Sequence, residues 1–340
     1  MTATATGPRP RRSPDARAEA GTAADPYAFV RAPRLPGLGG TVASTVGYEV
    51  EREAAGRAPD GRSTHHPGDP AREPLHRGLP SPYLTLIFSL HEPVVSGDTA
   101  EQARGPDAYR ADVLLAGLHR TPAFVRRPRR EAGVQLAVHP LAARALTGMP
   151  AAELHRLTAD GADVLGAQAA QVRERLCALD GWDERFAVLT GYLRARTEHH
   201  APGAGDADGA AGAGVRPEVA EAWRWLARHR GAASVDGLAA HVALSPRQLS
   251  TLFRREFGVG PKEAGRLMRF DHARRRIADT LRGGARLDLS AVAADCGFYD
   301  HPHLVRDFRQ FTGLSPTAWI AEEHRNIQAG GHRNDEEWAP

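Results

Sequence analysis

The sequence predicts an α+β protein of two domains: a β-barrel or sandwich that leads into a helical connector, then an all-helical domain. Three observations carry this expectation. Short apolar runs of strand character cluster between residues 83 and 138, and helical periodicity takes over from residue 141. Two segments, 235–261 and 292–316, then repeat one layout of short helix, tight turn and second helix. At 340 residues, either domain is long enough to bury a sizeable core.

In chain order, residues 1–25 are rich in Ala, Thr, Pro and Arg without periodicity and are expected to be a disordered tail. Residues 26–200 form the first domain. Residues 83–90 (Tyr-Leu-Thr-Leu-Ile-Phe-Ser-Leu), 112–117, 123–125 and 133–138 read as short strands separated by turn residues. Residues 141–146 and 187–196 read as helical, and so does 165–179, where Leu165, Ala169, Val172, Leu176 and Leu179 keep helical spacing. Residues 201–216, dominated by Ala, Gly and Asp, have the composition of a flexible linker. Residues 217–325 are the helical domain, opening on a helix with Val219, Ala222, Trp223 and Leu226 on one face, and 326–340 are a polar tail.

The net charge of +3 is unevenly placed. Lys and Arg outnumber Asp and Glu by 18 to 13 over residues 215–325, against 25 to 25 over 1–214 and a net −2 in the last fifteen residues. The positive excess thus lies with the doubled motif, a modest footprint of the kind polyanions attract. Lys262 is the only lysine, so Arg abundance reads as codon bias, and only Arg position carries information. The two cysteines, Cys177 and Cys296, lie far apart in helical patterns, which suits a reducing compartment. No apolar run resembles a signal peptide or nears the ~20 residues of a membrane span, so the chain reads as soluble and cytoplasmic, with no membrane partner.

In the first copy of the motif Ser234 is a natural N-cap, and Val235, Leu238, Ala239 and Val242 form a buried stripe. Ser245 caps the second helix with Pro246 in its first turn. Leu249, Leu252, Phe253 and Phe257 face inward, leaving Arg247, Gln248, Ser250, Thr251, Arg254 and Arg255 outside. In the second copy Asp288 is the N-cap, Leu289, Val292, Ala293 and Cys296 are buried, and Gly297 supplies a left-handed turn. Asp300 caps the following helix. Its inner face is Leu304, Phe308 and Phe311, and its outer set is His301, His303, Val305, Arg306 and Arg309. Residues 261–281 are one amphipathic strut of about 30 Å, close to the ~34 Å between successive major-groove segments on one face of DNA. Any helical hairpin can show such caps and stripes, but two in register point to DNA reading by Arg and small polar side chains.

Over residues 219–323 the chain resembles the AraC family of bacterial transcription regulators. The residues that carry the resemblance are Leu249-x-x-x-Phe253, Arg269-Phe270-x-x-Ala273, Gly297-Phe298-x-Asp300-x-x-His303-Leu304-x-Arg306-x-Phe308 and Gly313-x-Ser315-Pro316-x-x-Trp319. The resemblance implies a sequence-specific DNA-binding regulator, with double-stranded DNA as partner and RNA polymerase as a second one. It implies base readout by Arg247, Ser250 and Thr251 in the first copy and by His301, Pro302 and Arg306 in the second. Ser245, Arg254, Asp300 and His303 complete the expected DNA-binding set. Pro302 departs from the pattern because it cannot donate a hydrogen bond, Ala264 stands where the first copy usually has an aromatic, and Ala243 stands in place of the turn Gly.

Residues 76–81, 117–119 and 133–148 resemble the cupin-like sensor domain of one AraC-type subgroup, which implies a ligand-responsive or homodimerising module with an unidentified small-molecule effector. His119, Arg120 and His139 are the candidates to line its pocket, or else ordinary strand-end and surface residues. Two rival readings come from other classes. A cupin-type metal enzyme would need clustered His with a nearby Glu, and the strand region has no such run; His65-His66 and His199-His200 are adjacent pairs beside turns. A DNA-repair alkyl acceptor would need an exposed, activated thiolate, whereas Cys177 and Cys296 sit in helical patterns. The expectation is therefore a non-enzyme without cofactor or metal.

Overall fold

The computed structural model describes residues 27–51, 74–154, 159–199 and 214–328. The tail 1–25, most of the linker 201–216, residues 329–340 of the polar tail, and His65, His66 and His200 lie outside the described residues.

The first half of the chain holds the strands β1 (Tyr27–Arg31), β2 (Val42–Glu51), β3 (Leu75–Gly78), β4 (Leu84–Ser89) and β5 (Val94–Gly97). A short helix α1 (Ala100–Arg104) precedes β6 (Tyr109–Ala111), β7 (Val113–Ala116), β8 (Ala123–Arg126), β9 (Arg130–Val138) and β10 (Ala159–Asp160). They form two antiparallel sheets, one in the order β1-β2-β9-β4-β7-β10 and the other in the order β3-β8-β5-β6. The four runs expected as strands are β4, β7, β8 and β9, the last beginning three residues earlier than its apolar pattern.

Alternation assigns the faces of the larger sheet. On β4, Leu84, Leu86 and Phe88 are buried on one side while Thr85 and Ile87 face the other sheet; on β9, Val134, Leu136 and Val138 alternate with Gln135 and Ala137 in the same way. The apolar side is covered by α4 (Ala167–Cys177) and α5 (Trp182–His199), with Tyr192 edge-on to Phe88 at 6.3 Å. Trp182 lies flat on β2 over Gly47, where any Cβ would fall 2.4 Å from its ring. The inner side encloses a cavity between the sheets. The continuous helix expected over 165–179 is broken: α3 (Gly161–Leu165) ends at Gly166, whose φ of +76° starts α4 afresh. Residues 141–146 become a single 3₁₀ turn (Pro140–Ala142) followed by α2 (Ala143–Thr147).

The second half is helical: α6 (Pro217–Arg228), α7 (Val235–His241), α8 (Pro246–Phe257), α9 (Pro261–Arg282), α10 (Leu289–Asp295), α11 (His301–Thr312) and α12 (Pro316–Gln328). Its apolar residues fall into two cores. Trp223, Leu238, Leu249, Phe253 and Phe257 join the core of the strand domain, with Trp223 stacked on Phe253 at 5.7 Å. Phe270, Leu304, Phe308, Phe311 and Trp319 form a separate cluster. The N-terminal domain touches both helix-turn-helix units. Arg144 makes a bidentate pair with Glu256 of α8 (2.8 and 3.0 Å), and Arg120 reaches Glu263 of α9 (2.7 Å). On the other unit His76 lies 3.4 Å from Glu323 of α12, beside an Arg77–Glu322 pair.

Candidate nucleic-acid interface

Each helix-turn-helix is fixed by local chemistry. Ser234 accepts the Gly237 N–H at 3.0 Å, and Ser245 and Gln248 form a reciprocal capping box at the start of α8. In the second unit Asp288 accepts the N–H groups of Ser290 and Ala291, and Asp300 accepts that of His303 at 2.7 Å. Gly297 turns between α10 and α11 at φ +74°. The equivalent turn in the first unit is made by Ala243 at φ +55°, a left-handed conformation held by a residue with a Cβ. The strut α9 has 22 residues and so spans about 33 Å.

The arginines of the strut and those of the two recognition-type helices differ in what they touch. Those of the strut are engaged: Arg266 bonds Asp307 (2.7 Å) and Gln310 (2.6 Å), Arg274 and Arg275 bond the buried Asp271 (2.6 and 2.9 Å), and Arg276 pairs with Asp295. Burial alone would raise the Asp271 carboxyl, but Arg275 and Arg274 hold it below the usual carboxylate range. By contrast Arg247, Arg254 and Arg255 on α8 and Arg306 and Arg309 on α11 are exposed and make no ion pair among the described residues. The two recognition-type helices thus carry solvated guanidiniums on their outer faces, the state from which phosphates and base edges are met.

The structure divides the sequence-derived residues by role. Arg247, Thr251, Arg254, His301, Pro302 and Arg306 are exposed, and Ser250 is half-buried. Thr251 spends its hydroxyl proton on the Arg247 carbonyl at 3.0 Å. Ser245 and Asp300 are engaged as caps. His303, expected on the outside, is turned inward. Its Nδ1 accepts the Tyr299 N–H at 3.3 Å, its Nε2 lies 4.0 Å from Asp307, and its ring stands edge-on to Phe298. Asp307 itself is buried and held by Arg266. Tyr299, which sequence reasoning passed over, is 93% exposed immediately before the Asp300 cap; its place between the turn and the cap was the available signal.

In the strand domain the cavity between the sheets measures about 400 Å³ and is lined from both, with Arg274 of α9 reaching it from the helical half. Of the three ligand candidates only His119 lines it. His119 bonds the Thr121 carbonyl at 2.6 Å, and burial lowers its pKa. Arg120 points away to Glu263, and His139 is buried against Tyr83 (5.5 Å), where burial pushes its pKa down to about 4. Among the described residues no three His, Cys, Asp or Glu side chains gather to hold a metal, and no helix is long and apolar enough to cross a membrane. Burial raises the Cys296 thiol to about 11, opposite to the shift an alkyl-accepting thiolate requires. Cys177, although exposed, is directed at the Leu90 carbonyl (3.7 Å).

Comparison with known proteins agrees with this geometry. Residues 238–322 match the family model described as a helix-turn-helix domain, which is of AraC type. The chain is similar to the HTH-type transcriptional regulator ArgR of Pseudomonas aeruginosa, 29% identical over 107 residues that cover 32% of this chain and 30% of the relative. It is also similar to the arabinose operon regulatory protein of Escherichia coli, 30% identical over 105 residues, covering 30% of this chain and 34% of that protein. The match therefore spans about a third of the length of these curated relatives. Among solved structures, ToxT from Vibrio cholerae O395 aligns over 73% of this chain and 93% of its own, with a TM-score of 0.41 and 10% identity.

Proposed function

We propose that this chain, whose C-terminal part is an AraC-type double helix-turn-helix domain, is a sequence-specific DNA-binding transcription regulator and not an enzyme. The observation that carries the reading is the division of arginines: those of the strut are engaged inside the domain, while Arg247, Arg254, Arg255, Arg306 and Arg309 stand solvated on the two recognition helices. Arg247, Ser250 and Thr251 are assigned to one groove segment and His301, Pro302 and Arg306 to the next, the ~33 Å strut setting the spacing between them. Ser245, Asp300 and His303 are assigned to positioning, Arg254 to phosphate.

The residue bounds 26–200 for a sensor domain and 217–325 for the DNA-binding domain belong to the same proposal, as do a cytoplasmic site of action, an effector in the barrel cavity, homodimerisation through the N-terminal domain and contact with RNA polymerase. The test is selection of genomic fragments on the purified chain, followed by titration of an enriched fragment against Arg306→Ala. A bidentate Arg–guanine contact predicts a loss of about 1–3 kcal/mol for the selected sequence and a much smaller loss for scrambled DNA. Failure to enrich any fragment overturns the function; equal losses on both DNAs reassign Arg306 to phosphate.

A further inference from the structure

The two helix-turn-helix units can be laid over one another position by position. The Leu244 N–H meets the Ala239 carbonyl at 3.0 Å and the Phe298 N–H meets the Ala293 carbonyl at 2.9 Å, so the turns Ala243-Leu244 and Gly297-Phe298 correspond. In the first unit the N-cap Ser245 follows at once, whereas in the second one further residue, Tyr299, stands before the N-cap Asp300. Among the described residues Tyr299 is the one large hydrophobic side chain that stands in solvent, 93% exposed. Its backbone N–H is tied to His303 Nδ1 at 3.3 Å. Counted from the two caps, Arg247 of α8 matches Pro302 of α11, and Ser250 matches Val305. Where the first unit offers a guanidinium and a hydroxyl, the second offers a proline ring and an isopropyl group, three residues apart on one helix face. Pro302 is exposed and Val305 half-buried. Together with Tyr299 they make an apolar strip at the leading end of α11, beside the exposed His301, and the first guanidinium, Arg306, lies beyond it. Base edges in the major groove are polar except at one point, the 5-methyl group of thymine. Against any other edge such a strip would cover donors and acceptors without pairing them.

We propose that the second unit reads thymine by its methyl group, through the ring of Tyr299 flanked by Pro302 and Val305, while the first unit reads polar base edges. This rests on the reading of the chain as a sequence-specific DNA-binding regulator and adds the base that one of its two groove segments presents.

The test selects random-sequence duplexes on the full chain. Each thymine fixed by the selection is then replaced singly with deoxyuridine, which lacks only the methyl group. At one or more of these thymines the replacement is expected to weaken binding about fourfold, the factor for withdrawing one methyl-sized group from contact. The same replacement is expected to change nothing on Tyr299→Ala, so that protein and DNA changes close a double-mutant cycle. Tyr299→Phe, which keeps the ring, is expected to keep the deoxyuridine effect. The side chain of Tyr299 is solvated, so neither variant removes a packing contact on which folding depends. A deoxyuridine effect of the same size on Tyr299→Ala overturns the proposal. Loss of the effect in Tyr299→Phe overturns it too, and would assign the phenol hydroxyl to a phosphate or a polar edge. A chain that selects a sequence in which no thymine responds to deoxyuridine loses only the thymine reading. One that selects no sequence loses the proposed function, and this inference with it.

Discussion

Ala243 and His139 show how much a single residue can decide in this chain. Ala243 turns the first helix-turn-helix at φ +55°, where its Cβ crowds the following carbonyl. Gly297 makes the corresponding turn at φ +74° without that strain. Ala243→Gly is therefore expected to stabilise the protein by about 1 kcal/mol, read as a raised denaturation midpoint with an unchanged slope. An unchanged or lowered midpoint would mean that the turn is held without strain. His139 acts through protonation. Burial holds its pKa at about 4 in the folded chain, whereas the unfolded chain takes up the proton near 6.5. Between those values only the unfolded state is protonated, so the contribution is complete above pH 6.5 and is lost as the pH falls toward 4. The size is roughly 3 kcal/mol. Denaturation of His139→Gln across that window should show a flatter pH dependence than the parent, and parallel curves would remove His139 as the cause.

At the level of elements, α9 is both strut and electrostatic hub. Asp271 is fully buried and paired with Arg274 and Arg275 from its own helix. Removing the carboxylate charge leaves two guanidiniums in a place that resists them, so Asp271→Asn is expected to cost about 3 kcal/mol, measured by chemical denaturation; a cost below ~1 kcal/mol would mean that water already reaches the cluster. The element scale also separates what the sequence could reveal from what it could not. Helices α7, α8, α10 and α11 were legible because their signals are local: Ser234, Ser245, Asp288 and Asp300 cap them, and their apolar residues recur at helical spacing. Strand β3, with the sequence Leu-His-Arg-Gly, has no alternation to read and exists as a strand through its pairing with β8. Strand β2 does alternate at Val46, Tyr48 and Val50 and could have been read, although its Gly47 answers to Trp182, more than a hundred residues away. The interface was legible to a similar depth. The outward Arg306 follows from spacing along α11, whereas the half-buried place of His303 rests on the Tyr299 N–H and the Phe298 ring, contacts that spacing does not show.

For the whole molecule, the distribution of the cores sets how the two reading units respond to the rest of the chain. The first helix-turn-helix shares one continuous apolar cluster with the strand domain, reinforced by the bidentate Arg144–Glu256 pair and by Ala152 packed at Gly258. The second is built on its own cluster around Phe270, Phe308 and Trp319, and the strand domain reaches that cluster through Leu79. A fragment of residues 215–328 retains Trp223 against Phe253 and Phe257, so it is expected to fold. It loses the shared core and leaves Glu256 without Arg144, a larger cost to the first unit than the second bears in losing Leu79 and the pairs made by His76 and Arg77. Hydrogen exchange should therefore find a greater loss of protection in α6, α7 and α8 than in α10, α11 and α12 when the fragment is compared with the full chain. An unfolded fragment would refute a domain boundary at residues 201–216. Equal protection of both units would show that the shared core adds no stability to the first, and the strand domain would then have to act on DNA reading through β3 and α12, where His76 and Arg77 meet Glu323 and Glu322.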